Sequence, residues 1–421
     1  MNKILHYNTN GQLQLEGSTF ESLCQKFPTP FYLYSSAAIE KNCTQVNEIS
    51  KDLNLFACYA LKANYNPKLI KLIHNYGFGA DVVSGGELYF ARKAGIPAEK
   101  IVFAGVGKTE DEIREAIQLH IHSINIESES ELALVERIAT ELKKTITVAF
   151  RVNPDINPQT HPYISTGIHS SKFGIPRDLA MELFQRAARH PYVDPQGIHV
   201  HIGSQIDQED PYLETVEYLL KMKEDLRVRG INISFLDLGG GIGINYQNQL
   251  DTDGNDQTYL THILPKMLKP FQGMKIKLLI ELGRSIIGSA GFLVTKVLYI
   301  KKTPSKKFII VDAAMNNLMR PSLYQAHHQI LPVSRNSGPT ELADVVGPVC
   351  ETSDFLARER EMPLVKEGDF LVITGAGAYG QALSSIYNLR PTLAEYLIRD
   401  KSIETIFEGD TLESIADRFD W

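Results

Sequence analysis

CYALKAN, residues 58–64, closes an apolar run that begins at Leu55 and leaves a lysine at its end. The run has the length and composition of a buried strand. Burial disfavours an ammonium and lowers its pKa, so Lys62 needs either a partner or a task. A lysine at the end of an element ordinarily snorkels to water, and these seven residues alone give no reason to read it otherwise. The flanking sequence decides.

Working outward from this run, short stretches rich in Val, Ile and Phe recur at 55–62, 79–84, 101–106, 123–127, 145–152, 197–202, 234–238 and 277–281. Helical patterns at 67–77, 86–95, 111–120, 130–142, 178–190, 212–226 and 259–271 separate or follow them, and another at 37–53 precedes the first. Eight of each in alternation predict an α/β chain with a (β/α)8 TIM-type barrel entered through a helix. An open doubly wound sheet alternates similarly, but no glycine-rich dinucleotide turn follows the first strand. After Arg284 the texture changes to strand-like segments at 291–303, 306–316, 341–350 and 369–380, broken by Pro, Gly, Asn and Ser. The expected organisation is a barrel over 30–284 and a mainly β domain, sandwich-like or barrel-like, over 285–421, with residues 1–29 packing on the latter.

The chain has 421 residues, a net charge of −7 and 43% hydrophobic residues. It offers no basic footprint for nucleic acid and no apolar stretch of the roughly 18 residues a membrane span needs. The N-terminus lacks the apolar core of a signal peptide, so a cytoplasmic location is expected. Cys24, Cys43, Cys58 and Cys350 are far apart and form no Cys-x-x-Cys pair, which favours free thiols over disulfides or zinc.

A barrel of this type builds its active site at the C-terminal ends of its strands. Those ends carry Lys62, Asp81, Ser84, Arg151, Asn153, His199, His201, Ser204, Gly239, Gly240, Gly241, Glu281, Gly283 and Arg284. The triple glycine lets a backbone approach a ligand and point N–H groups at an anion, although a turn needing positive φ would also explain it. Phosphate often sits after strands seven and eight of such barrels, beside which Arg284 adds a cation. His-x-His at a barrel mouth can ligate metal, but the cationic neighbours argue against it, and no metal site is expected. A lysine, a phosphate cradle, a carboxylate and a histidine face together point to pyridoxal 5′-phosphate more than to any other cofactor. Lys62 would form the Schiff base, and Glu281 would keep the pyridine nitrogen protonated.

At this point the motifs coincide with a family. YALKAN (59–64), GADVVSGGEL (79–88), RVNP (151–154), SKFGI (171–175), HVHIGSQ (199–205), DLGGGIGI (237–244), ELGRSI (281–286), MRPSLYQAHH (319–328), GPVCETSD (347–354) and GAGAYG (375–380) occur in order. With them the chain resembles the fold-type III, alanine-racemase-like pyridoxal-phosphate enzymes, and among those the diaminopimelate decarboxylases. The resemblance implies decarboxylation of meso-2,6-diaminopimelate to L-lysine and CO2 in lysine biosynthesis, with Lys62 and Cys350 catalytic and Cys350 the acid that protonates the α-carbon. It implies that Lys62, Asp81, His201, Ser204, Gly240, Gly241, Glu281, Gly283, Arg284 and Tyr379 contact the cofactor, and that Arg284, Arg320, Tyr324, Glu351 and Tyr379 hold substrate. It further implies a homodimer in which the second subunit donates the segment with Cys350 and Glu351.

Diaminopimelate carries an amino-acid group at each end. Bidentate arginines suit its second carboxylate, which makes Arg284, Arg320 and the MRPSLY segment the expected specificity element. Relatives acting on ornithine, D-lysine, arginine or carboxynorspermidine are the alternative, and a non-catalytic cofactor-binding homologue would lack Lys62 or Cys350. One departure stands out: Leu282 replaces the proline usual in the family's Glu-Pro-Gly-Arg. His161 and Lys172 match positions at the mouth without an assigned role, and His327 and His328 read as surface or interface residues.

Overall fold

The computed structural model describes residues 3–156, 172–250, 258–335 and 338–420. It divides into two compact units: Asn42–Ile244 with Gln257–Ser285, and Met1–Lys41 with Asn245–Asp256 and Ile286–Trp421.

The first unit is a closed barrel of eight parallel strands: Leu55–Ala60, Gly79–Val82, Ile101–Phe103, Ser123–Ile126, Ile146–Arg151, Val193–His199, Phe235–Asp237 and Lys277–Leu282. The eighth pairs with the first and closes the cylinder. Every strand foreseen in the sequence is present, with shifted ends. The first stops at Ala60, and Lys62 sits in the following one-turn 3-10 helix, Leu61–Ala63, rather than in the strand. The sixth begins at Val193, earlier than expected, because Asp194 and Pro195, which read as turn residues, pair with the fifth strand, and Gln196 is the extra residue of an irregularity between Pro195 and Gly197.

Between strands, the helices start where side chains cap them. Asn66 accepts from the Lys68 N–H ahead of Pro67–His74, Ser84 caps Gly85–Lys93, and Thr109 forms a capping box with Glu112 ahead of Glu110–Leu119. Ser84 is therefore a cap.

The second unit is mainly β. Its sheet runs Phe355–Pro363, Thr340–Val346, Lys307–Val311, Gly291–Lys302, Phe31–Ser35, Glu395–Arg399, Ser402–Phe407, and Phe370–Ile373 pairs both Gly291–Lys302 and Ile330–Pro332. The 12-residue strand Gly291–Lys302 organises it, pairing in turn with Phe31–Ser35, Phe370–Ile373 and Lys307–Val311. The sequence boundary at residue 30 falls just before Phe31–Ser35, a strand that this sheet takes. Leu5, Leu13, Leu15, Phe20 and Leu23 pack with Phe31, Leu33, Phe292 and Val294 in its core.

Candidate active site at the barrel mouth

Strand register sets the middle of the site. His199 lies level with Arg151 on one side and with Asp237 on the other. In-register neighbours of a parallel sheet send side chains to the same face, so all three project together. Asp237 is level with Leu279, which places Glu281 one pleat repeat further on. The His199 imidazole Nε2 then lies 3.3 Å from Glu281 Oε2, and the Asn125 amide donates to Glu281 Oε1 at 3.3 Å. Asp237 Oδ1 accepts the Gly239 N–H at 3.0 Å. At the end of the first strand, Lys62 Nζ donates to Asp81 Oδ2 at 2.8 Å; Asp81 is fully buried, while the Lys62 side chain is 34% exposed.

Three carboxyls in one pocket are pushed apart in acidity. Burial raises Glu281, but the contact and charge of His199, with Lys62 and His201, outweigh it and hold the carboxyl below its ordinary range. Burial and the Glu281 charge hold Asp237 well above that range, and the same two causes raise Asp81 against the opposing pull of Lys62. Glu281 is the carboxylate of the group and Asp237 its acid. Burial depresses His199, yet Glu281 and Asp237 raise it overall. His201 goes the other way, driven well down by burial and by the charges of Arg151 and Lys62. The Gly240 N–H donates to His201 Nδ1 at 3.1 Å, which fixes the neutral tautomer with its proton on Nε2.

His199, Asp237 and Glu281 have donor atoms within 4.8 Å of one another and could together hold a cation. Glu281 and Asp237 raise the affinity of His199 for a proton, and a proton held there would supply that positive charge.

The triple glycine is required sterically. A Cβ on Gly240 would meet the Glu281 carbonyl oxygen at 1.8 Å, and one on Gly241, at φ +91°, the Gly203 carbonyl oxygen at 2.1 Å. The loop after strand seven thus touches the loop after strand six and the end of strand eight backbone to backbone. Gly283 packs less tightly, with a Cβ there 3.0 Å from that of Ala63. Beside them Arg284 Nη2 donates to Ser204 Oγ at 2.9 Å.

A second polar layer, of which the sequence pointed only to Arg151, supports this one. Lys108 is buried and donates to Gly105 O, Asn125 O and Glu131 Oε1 at 2.6, 2.8 and 2.6 Å. Glu131 Oε2 accepts the Glu127 N–H, and Glu127 pairs with Arg151 at 2.7 Å. Arg151 also lies over the Phe173 ring at 4.6 Å. Lys172 is exposed, 5.2 Å from the same ring. His161 lies outside the described residues. Asn125 and Asp237 carried the same signal as Lys62, a polar residue inside an apolar strand. Lys108 had none, because GKTEDE reads as the start of a helix.

The five remaining expected residues belong to the sheet-bearing unit. Arg320 and Tyr324 bound the short helix Arg320–Tyr324, and Arg320 is buried. Its Nη1 donates to His328 Nε2 at 2.7 Å, and its guanidinium lies 4.4 Å over the Tyr246 ring. His328 in turn donates from Nδ1 to Thr374 O at 2.9 Å. The surface reading of His328 is corrected: it is fully buried and orients Arg320. His327 is partly buried, with Arg360 Nη1 3.2 Å from its Nε2. Ser322 Oγ donates to Ser353 O at 2.5 Å and ties the helix to the segment with Cys350 and Glu351, both exposed. Tyr379 follows the strand Phe370–Ile373 with φ +56°.

The barrel residues suit one cofactor. A partly exposed amine stands against a buried carboxylate whose Oδ1 has no hydrogen-bond partner among the described residues. An ionised Glu281 suits a protonated ring nitrogen, a neutral His201 suits a ring face, and tight glycine loops with Ser204 and Arg284 suit a phosphate. Fold and site together define a barrel enzyme that works with pyridoxal phosphate.

Known proteins agree. The family model described as "Pyridoxal-dependent decarboxylase, pyridoxal binding domain" matches residues 36–288. The chain is 45% identical to the diaminopimelate decarboxylase of Aquifex aeolicus, over 99% of this chain and 97% of that protein, and 40% identical to that of Vibrio cholerae, over 97% of each. The crystal structure of diaminopimelate decarboxylase from Helicobacter pylori, complexed with L-lysine, superposes with a TM-score of 0.88 at 40% identity, covering 95% of this chain and 98% of that one. The chain belongs to the diaminopimelate decarboxylase family of pyridoxal-dependent decarboxylases.

Proposed function

We propose that this enzyme converts meso-2,6-diaminopimelate to L-lysine and CO2, as the names of its relatives indicate. The observation that carries the proposal is the Lys62 amine, accessible at the end of the first strand and held 2.8 Å from buried Asp81. When bound, pyridoxal phosphate supplies the electron sink that receives the bonding pair as CO2 departs.

Lys62 would hold the cofactor through Nζ, oriented by Asp81. Glu281, ionised by His199, would accept the ring nitrogen's proton in a hydrogen bond, and His201 would cover the ring face. Ser204, Gly240, Gly241, Gly283 and Arg284 would hold the phosphate, and Tyr379 would also reach the cofactor. Arg284 and Arg320 would bind the substrate's distal carboxylate, with Tyr324 and Tyr379 beside them, and Glu351 its distal ammonium. The Cys350 thiol would give its proton to the α-carbon in place of the lost carboxylate.

In this reading the enzyme is a cytoplasmic homodimer. Four cysteines that form no disulfide among the described residues accord with a reducing compartment. The exposure of Cys350 and Glu351 accords with their service in the site of a second subunit.

Purified protein with pyridoxal phosphate should release lysine and CO2 from meso-diaminopimelate, and Lys62→Ala should not; equal rates would sink the assignment. Arg320→Ala should lose diaminopimelate turnover, whereas an unchanged rate removes MRPSLY from specificity. Mixing inactive Lys62→Ala and Cys350→Ala subunits should restore activity if sites are shared, and should not if each chain is self-sufficient.

A further inference from the structure

Cys350 and Glu351 are exposed, so packing does not fix them; hydrogen bonds do. Asp354 anchors the base of their segment, accepting the Met315 and Val349 N–H groups at 2.7 Å each. Two further bonds come from a distant turn, Tyr387–Leu389. The Tyr387 hydroxyl donates to Glu351 Oε1 at 2.5 Å, and Asn388 Oδ1 accepts the Cys350 N–H at 3.0 Å. Ser353 Oγ, within the segment itself, donates to Glu351 Oε2 at 3.0 Å.

The turn adopts a costly backbone to make these bonds. Asn388 and Leu389 have φ of +57° and +54° in succession. Asparagine tolerates the left-handed region, but leucine does not, and strain of this kind persists only where surrounding structure imposes it. Burial does not compensate, because Leu389 is 64% exposed and Tyr387 45%. The chain is pinned on the N-terminal side, and the turn closes on itself at the other. Ser385 N–H donates to Asn316 O at 3.0 Å and Asn316 Nδ2 donates back to Ser385 O at 3.1 Å, while Arg390 N–H donates to Tyr387 O at 3.3 Å. The pinned, left-handed turn presents two adjacent side chains to two adjacent residues of the other segment.

We propose that Tyr387 and Asn388 are positioning residues: the Tyr387 hydroxyl aims the Glu351 carboxylate at the substrate's distal ammonium, and the Asn388 amide oxygen holds the Cys350 backbone so that its thiol faces the α-carbon. The proposal rests on the roles assigned above to Cys350 and Glu351. The Tyr387 and Ser353 bonds also keep Glu351 ionised, the form an ammonium requires.

The test uses Tyr387→Phe, which keeps the ring and loses the hydroxyl, and Asn388→Gly, which suits the positive φ and loses the acceptor. In the holoenzyme Tyr387→Phe should raise KM for meso-diaminopimelate about tenfold at unchanged kcat, the order expected for one hydrogen bond to a charged group. It should weaken L-lysine binding in calorimetry to the same extent, since lysine retains the distal amino-acid group. Asn388→Gly should lower kcat about tenfold at unchanged KM, as misplacement of a catalytic group does. In a Glu351→Gln background Tyr387→Phe should have no further effect. If Glu351→Gln and Cys350→Ala are impaired while Tyr387→Phe and Asn388→Gly behave as wild type, the positioning role is wrong and the assigned roles stand. An undiminished Tyr387→Phe effect in the Glu351→Gln background overturns it too. If Glu351→Gln and Cys350→Ala keep wild-type turnover, both readings fall together.

Discussion

The two ends of the barrel are built from the same eight strands and differ in almost everything else. At the C-terminal ends stand the partly exposed Lys62 and the buried Asp81, Asn125, Arg151, His199, Asp237 and Glu281, a polar network with several atoms, Asp81 Oδ1 and Asp237 Oδ2 among them, left without partners among the described residues. Lower in the cylinder, Cys58, Val102, Ala149, Phe235 and Leu279 pack with Phe56. Glycines there make room for rings: a Cβ on Gly197 would meet the Phe235 ring at 2.2 Å, and one on Gly79 the Phe56 ring at 2.4 Å. Buried charge costs stability and is kept where chemistry needs it, whereas close-packed rings stabilise and do nothing else. The barrel thus separates the two duties along its axis.

Lys62→Ala gives the largest expected departure between the two ends. Activity should fall at least about a thousandfold, as it does when a covalent catalytic group is removed. The thermal midpoint should move by only a few degrees, because Asp81, already raised by burial, can take up a proton once its cation is gone. A midpoint that collapses with the activity would show that the mouth also holds the barrel together.

Phe235→Ala reverses the pattern. Emptying a fully packed ring site should cost about 3–5 kcal/mol, read as a lower midpoint in thermal or urea unfolding. The kcat of the protein that remains folded should stay within about twofold of wild type, since Phe235 lies two residues below Asp237 on the same strand and packs in the apolar cluster with Cys58, Val102, Ala149 and Leu279. A large loss of kcat would mean that the lower layer sets the geometry of the upper one.

This division also explains how much could be read in advance. The eight strands were legible because parallel buried strands are continuous apolar runs, and Lys62 stood out because it interrupts one. Asp237 and Asn125 interrupt runs in the same way, and that criterion, applied throughout, would have found them. Register was not legible, so the lateral alignment of Arg151, His199 and Asp237 and the pairing of His199 with Glu281 emerged only from the fold. Nor was the burial of His328, which depends on a strand pairing, Ile330–Pro332 with Phe370–Ile373, that no local pattern announces. Tyr387 and Asn388 lie in a turn whose bonds reach 36 and 38 residues back along the chain.

The smallest expected effect contrasts two titrating groups near opposite ends. His122, just before the fourth strand, is depressed from its ordinary 6.5 to about 4 by burial and by the charge of Lys277, whose Nζ lies 2.7 Å from its Nε2. The unfolded chain takes up this proton near pH 6.5 and the fold only near 4, so this group removes stability as pH falls through that window. Glu87, at the start of the helix after the second strand, is raised from 4.5 to about 7 by burial and then by the Asp81 charge, against the Val83 N–H and Lys62. The fold keeps this proton after the unfolded chain has lost it, so this group removes stability as pH rises from 4.5 to about 7. Each shift corresponds to about 3 kcal/mol at full extent, and between pH 4.5 and 6.5 the two slopes oppose and largely cancel. Replacing one group should therefore uncover the other. In urea unfolding, His122→Phe should give a barrel whose stability falls with rising pH across this window, and Glu87→Gln one whose stability rises. Slopes of the same sign in both variants would show that the two ends do not titrate independently.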